Sequence, residues 1–312
     1  MSVTGQACTG AYTALSELVA LRFNARLQLT SKRRSLSTLA GPYQANFRGR
    51  GIDFEEVRAY QAGDDVRSID WRVTARTTEP HTKLFQEEKE RPVLVVVDQR
   101  IRNFFGSKQC FKSVLAAYTA ALLAWSALRN NDRVGGLVLT DNDLKEIRPR
   151  RSKSGVLQLL HEIHDANNAL RADAMSGKPE YSINKTLQEL RRLVKPGSAV
   201  FVISDFYDCN DESTKHFYHL AKHNEVTCIK VFDELERQLP PAGQYAISDG
   251  LNRSLLNTSE RRLRERYQKQ SEQQQQKLQE NLAKARVPLI TLQTGCDPMA
   301  ELLQFYALSR SS

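Results

Sequence analysis

The sequence predicts an α/β fold, a Rossmann-like open and mostly parallel sheet with helices on both faces, preceded by an N-terminal helix and a small β-rich module. Three observations carry it. Two strongly apolar runs, Val93 to Val97 and Ala199 to Ser204, are strand-length and rich in β-branched residues. From Pro92 onward, such runs alternate with longer segments of helical period, the signature of a sheet with helices packed on its faces. Each of the two runs also ends in a carboxylate, Asp98 and Asp205, at the edge where open α/β sheets gather their ligands.

The elements follow in order. Between Ala11 and Leu29 the apolar residues Leu15, Leu18, Val19, Phe23 and Leu27 recur at three- and four-residue spacing, which predicts an amphipathic helix docked on the body. The basic stretch Ser31 to Ser35 follows as an exposed connection. From Phe54 to Glu88 short extended pieces surround a turn at Ala62-Gly63-Asp64-Asp65, with Val57, Tyr60, Val66, Ile69 and Trp71 expected to point inward. The expected divisions are 1–47, the N-terminal helix and basic connection; 48–91, the Arg/Asp/Glu-rich module; and 92–312, the α/β domain.

Within that domain the pattern gives a helix over 108–129, a strand over 134–140, and helices over 153–167 and 184–193. The strand 199–204, a helix over 211–223 and a strand over 226–231 complete the centre. A strand pair at 244–247 and 251–256, a long polar helix over 260–285, a strand over 287–292 and a helix over 298–307 close the chain. Right-handed crossovers make this a sheet of about six strands. Gly135-Gly136 inside a strand marks close packing or a bulge rather than a phosphate cradle.

Composition narrows the function classes. No apolar stretch reaches the roughly 20 residues needed to span a bilayer. The opening MSVTGQACTGAYTAL lacks the basic-then-apolar layout of a secretory leader, so a cytoplasmic location is expected. The five cysteines show no metal-ligand spacing and are expected to be reduced and mostly buried. A net charge of +9 invites a nucleic-acid reading, but the basic residues are interleaved with Asp and Glu rather than forming a single-sign stripe, which argues against it. No G-x-S-x-G, P-loop, H-E-x-x-H or dinucleotide glycine pattern occurs. His161 and His164 share a helical face without a third ligand and are read as packing or surface residues.

The strand ending in Asp98, then Ser182 ahead of a helix, then Ser204-Asp205-Phe206, together resemble a von Willebrand factor A domain. In that fold such positions form a metal-ion-dependent adhesion site built on D-x-S-x-S. The preceding block resembles the domain-of-unknown-function 58 family, through Asp53, Glu55, Arg58, Tyr60, Gly63-Asp64-Asp65, Arg67, Asp70-Trp71-Arg72 and Arg76. Here the metal motif reads Asp98-Gln99-Arg100-Ile101-Arg102, with guanidinium groups where hydroxyls would ligate Mg²⁺. The expectation is a degenerate site with no metal or other cofactor, in which Arg100 or Arg102 reaches Asp98 or Asp205. Arginines of the block are expected to pair with its carboxylates as a scaffold, with a docking surface anchored by Trp71 as the other reading. The resemblance implies a non-enzymatic interaction protein, a partner of a MoxR-type AAA+ ATPase. The competing classes are a metal-dependent hydrolase using Asp98 and Asp205, and a basic nucleic-acid binder.

Overall fold

Why each segment takes its shape is clearest from the centre of the sheet outward. The computed structural model describes residues 8–27, 29, 52–61, 66, 69–77, 79–87, 90–171, 180–248 and 253–308. The chain divides into two units, Met1–Ser31 with Arg91–Ser312, and Lys32–Glu90. The unit boundaries therefore fall at 31/32 and 90/91, and the N-terminal helix belongs with the large unit.

In chain order, α1 (Leu15–Ala20) runs into a single 3₁₀ turn, Leu21–Phe23, so the helix expected over 11–29 is one short piece. The small unit contains β1 (Ile52–Ala59), α2 (Trp71–Thr77) and β2 (His81–Glu87), with the two strands antiparallel and a bulge between Phe54 and Glu56. The helix α2 was not anticipated. Asp70 starts it by accepting the amides of Arg72 and Val73 on Oδ1 at 3.0 and 3.3 Å, which satisfies two of the donors a helix N-terminus leaves open. The inward placement expected of Val66 and Trp71 is wrong: they are 58% and 68% exposed, Trp71 because it opens a solvent-facing helix rather than a strand.

The large unit continues with β3 (Pro92–Asp98), α3 (Lys112–Arg129), β4 (Arg133–Leu139) and β5 (Leu144–Arg150). Next come α4 (Lys153–Asn168), α5 (Ile183–Leu193), β6 (Ala199–Ser204), α6 (Asp211–Ala221) and β7 (Glu225–Phe232). The hairpin β8 (Gln244–Ser248) and β9 (Arg253–Asn257), then α7 (Arg261–Lys284), β10 (Leu289–Gln293) and α8 (Pro298–Leu308), complete it. The central sheet has the order β10-β7-β6-β3-β4-β5. Every pairing in it is parallel except β4 with β5.

Strand β3 is apolar without a break because both faces of the sheet are covered. Val93, Val95 and Val97 pack with α3, while Leu94 and Val96 pack with Leu187, Phe217 and Leu282 on the other side. Helix α3 is buried from Lys112 to Ala127, which is why its sequence lacks a polar face. The N-terminal segment covers it: Leu18, Leu21 and Leu27 are buried, and Trp125 Nε1 donates to the Leu18 carbonyl at 3.0 Å.

Gly136 admits no side chain, because a Cβ there would lie 2.3 Å from the Val95 carbonyl oxygen, and the β4–β5 register shifts beside it. Cys8 and Cys110 are joined as a disulfide, against the expectation of five reduced thiols, because the N-terminal segment pairs with the turn ahead of α3; Cys209, Cys228 and Cys296 are free. At the start of α7, Arg261 pairs with Glu265 and Arg264 reaches the carbonyls of Thr258 and Ser259, so cations at the positive end of this helix are balanced locally. Among the described residues, no helix is long and apolar enough to cross a membrane.

Candidate functional site

Because β3 and β6 are parallel neighbours in the register Val97 to Ile203, their carboxyl ends deliver Asp98 and Ser204 side by side. Ser204 Oγ donates to Asp98 Oδ2 at 2.6 Å. Two residues beyond Asp98 the chain turns back, and Arg100 folds its own guanidinium onto that carboxylate: Nε lies 2.9 Å from Oδ1 and Nη2 2.7 Å from Oδ2. The same guanidinium reaches across to Asp208, with Nη1 2.7 Å from Oδ2 and Nη2 3.0 Å from Oδ1. One planar fork thus joins two carboxylates that are 110 residues apart in the chain.

The fork is deeply placed, with side-chain exposures of 3% for Arg100 and 1% for Asp98. Burial alone would lower the Arg100 pKa, but the charge and hydrogen bonds of Asp98, and then of Asp208, more than offset it and hold the group firmly protonated. Burial likewise pushes the Asp208 carboxyl up, and the hydrogen bond and charge of Arg100 outweigh it, leaving the group below the ordinary carboxylate range. Asp141, whose Oδ2 accepts the Ile101 amide at 2.7 Å, is pushed up, mainly by burial.

Ser182 sits beside this cluster as the N-cap of α5, its Oγ accepting the Lys185 amide at 3.3 Å, and Asp208 Oδ2 accepts the next amide, of Ile183, at 2.9 Å. Asp205 turns the other way. Its Oδ2 lies 3.5 Å from Lys112 Nζ and 3.6 Å from Arg102 Nε, and Lys112, itself 1% exposed, also donates to Glu236 at 2.6 Å. Arg102 stacks 3.4 Å above the Tyr207 ring, and Tyr207 is 61% exposed. The structure therefore divides the expected residues into two groups: Asp98, Arg100, Ser204 and Ser182 around one fork, Asp205 and Arg102 in a second ion-paired group with Lys112.

Asp208 was missed by sequence reasoning. Its only trace is the second acidic residue of Asp205-Phe206-Tyr207-Asp208, in a loop without periodicity. Lys112 was missed because it opens an apolar helix, where a lysine reads as a solvated end.

A divalent cation of Mg²⁺ type needs near-octahedral oxygen ligands. Both oxygens of Asp98 are already occupied by Arg100 and Ser204, Ser182 Oγ is turned onto its helix, and a fixed cation stands between the carboxylates. These residues do not fit that ion. The histidines also lie apart from the site: His161 faces Asp165 at 3.5 Å, and His164 contacts Thr13 and Asn168.

In the small unit Asp53 and Glu55 lie on β1, Arg58 Nη1 donates to the Ala59 carbonyl at 3.1 Å, and the Tyr60 amide to that of Pro80 at 2.7 Å. Asp70 caps α2, on which Trp71, Arg72 and Arg76 are exposed. Gly63, Asp64, Asp65 and Arg67 lie outside the described residues.

Residues 56–277 match the family described as "Protein of unknown function DUF58". The chain belongs to the DUF58 family. Its large unit has a Rossmann-like architecture, an open mostly parallel sheet between two helical layers. Among curated relatives, the uncharacterized proteins Mb1516 of Mycobacterium bovis and Rv1480 of Mycobacterium tuberculosis are each 26% identical over 288 residues, covering 91% of this chain and 88% of theirs. Among solved structures, BatB from Bacteroides thetaiotaomicron is 14% identical with a TM-score of 0.43, covering 71% of this chain and 100% of that one. A von Willebrand factor type A protein from Catenulispora acidiphila is 9% identical with a TM-score of 0.37, covering 73% of this DUF58 chain and 44% of its own.

Proposed function

We propose that this chain is a protein-interaction module without chemistry of its own, a partner or adaptor of a MoxR-type AAA+ ATPase in the assembly or remodelling of a protein complex. The observation that carries the reading is the seat of Arg100 between Asp98 and Asp208. A guanidinium in that place neither ligates a metal nor takes a proton from water. The strand ends then act as a fixed frame, with Asp98, Arg100, Ser182 and Ser204 setting the loops, the buried Asp205 holding Arg102, and Arg102 and Tyr207 forming the face a partner meets. The ATPase partner is the finer part of the proposal.

A photo-crosslinking amino acid placed at Tyr207 in the full chain, activated in living cells, tests it. The expected product is an adduct with an AAA+ ATPase or with a protein that co-purifies with one. Adducts that contain neither, from protein shown to be folded, would overturn the ATPase assignment.

A further inference from the structure

Beside the fork lies a groove of about 370 Å³ between the carboxyl ends of β6 and β7 and one face of α7. It is lined along the helix from Tyr267 to Leu282, four turns that span about 22 Å at 1.5 Å per residue. Its floor is apolar, with Phe206, Phe217, Leu278 and Leu282 all buried. Its walls are cationic. Arg102, Lys230, Arg237 and Lys277 line it, while Asp205 and Glu236, the two carboxylates present, are both paired to the buried Lys112.

Lys230 adds an independent observation. It is half-buried on β7, and burial lowers its pKa, with Glu236 and Asp205 acting upward and Lys112 and Arg237 acting downward. Yet its side chain makes no hydrogen bond or close ion pair within the described residues. On the opposite wall the side-chain amides of Gln274, Gln275 and Asn281 are likewise without partners among the described residues. Surplus positive charge, unused amide donors and acceptors, and an apolar floor call for an occupant that is anionic, carries backbone-like polar groups and has alternate apolar side chains.

We propose that this groove binds an extended acidic segment of a partner protein, about seven residues long, with carboxylates toward Lys230, Arg237 and Lys277 and apolar side chains toward the floor. The length matches a strand rising about 3.3 Å per residue, in which alternate side chains face opposite ways. A small anion would fill only a fraction of that length. The proposal rests on the interaction-module reading and names the chemistry of the partner.

The test uses a fluorescein-labelled peptide alternating Glu and Leu, its Gln-for-Glu counterpart, and citrate and pyrophosphate as competitors, read by fluorescence anisotropy on the full chain. The Glu peptide is expected to bind in a salt-dependent way. Binding should weaken roughly tenfold in Arg237→Glu and in Lys277→Glu. Lys269→Glu, on the far side of α7, should leave it unchanged, and the Gln peptide should bind at least about tenfold more weakly. No binding, equal binding to every variant, or full displacement by citrate or pyrophosphate at equimolar concentration would overturn the proposal, the last outcome assigning a small-anion site instead. Crosslinking from Tyr207 separates the two readings: a partner retained by Arg237→Glu alongside failed peptide binding overturns the groove and spares the module, whereas no partner in the wild-type chain overturns the module.

Discussion

Replacing Arg100 with methionine removes the charge while keeping much of the side-chain volume. Asp98 would keep the Ser204 hydroxyl at 2.6 Å and the residue-100 amide at 3.1 Å, but lose both guanidinium contacts. At 1% exposure that leaves a buried carboxylate without a counter-charge, and breaking such a pair costs about 3–5 kcal/mol. A domain of this size shifts by about 2–4 °C per kcal/mol, so Arg100→Met is expected to lower the melting temperature by roughly 6–20 °C. Adding Asp98→Asn removes the stranded charge and should recover part of the loss, with a coupling of about 1–3 kcal/mol between the two sites. Thermal unfolding of wild type, both single variants and the double variant measures all of this. If Arg100→Met melts within about 2 °C of wild type, or if the two substitutions simply add, the guanidinium is not the internal counter-charge of this site.

Three further outcomes are expected. The double substitution Arg100→Ser with Arg102→Ser restores the hydroxyls of D-x-S-x-S, and 10 mM Mg²⁺ should stabilise it by about 1.4 kcal/mol for a dissociation constant near 1 mM, while leaving wild type unmoved; calorimetry with Asp98→Ala as control checks both. Gly136→Ala should cost at least about 1–3 kcal/mol in urea unfolding, because the added carbon meets backbone in the central sheet, whereas Gly197→Ala, at φ +85° with open space around it, should cost about 1–2 kcal/mol. In acid, Asp208 and Asp233 both have lowered folded pKa values. Their contribution is present above the ordinary carboxylate value of 3.8 and is lost as the pH falls through the folded values. Asp141, pushed up by burial, acts with the opposite sign at higher pH, so stability followed by circular dichroism should hold down to about pH 5 and fall below about pH 4.

How far such features can be read from sequence depends on how burial marks the chain. Strands β3 and β6 and helix α3 were legible because they are covered on more than one side, which forces near-continuous apolar runs. Strand β5 was not, since Leu144–Arg150 is an edge strand whose charges and Pro149 discourage further pairing and erase the usual strand pattern. The segment of helix α2 reads as extended because Trp71, Val73 and Thr74 favour strands, and the cap that decides the matter is a local hydrogen bond accepted by Asp70.

The site divides in the same way. Asp98 and Arg100 are two residues apart, so their meeting could be inferred from a motif with a cation out of place. Asp208 is 108 residues from Arg100, and only the parallel pairing of β3 with β6 brings its loop into reach. The guanidinium therefore has one partner set by the local chain and a second set by the sheet. A fork that engages both can form only once β3 and β6 are in register. On that account the Arg100 to Asp208 contacts should form after the central sheet during folding, and Asp208→Asn should speed unfolding more than it slows refolding in stopped-flow experiments. An effect confined to refolding, with unfolding unchanged, would place the contact in the folding transition state and overturn its late formation.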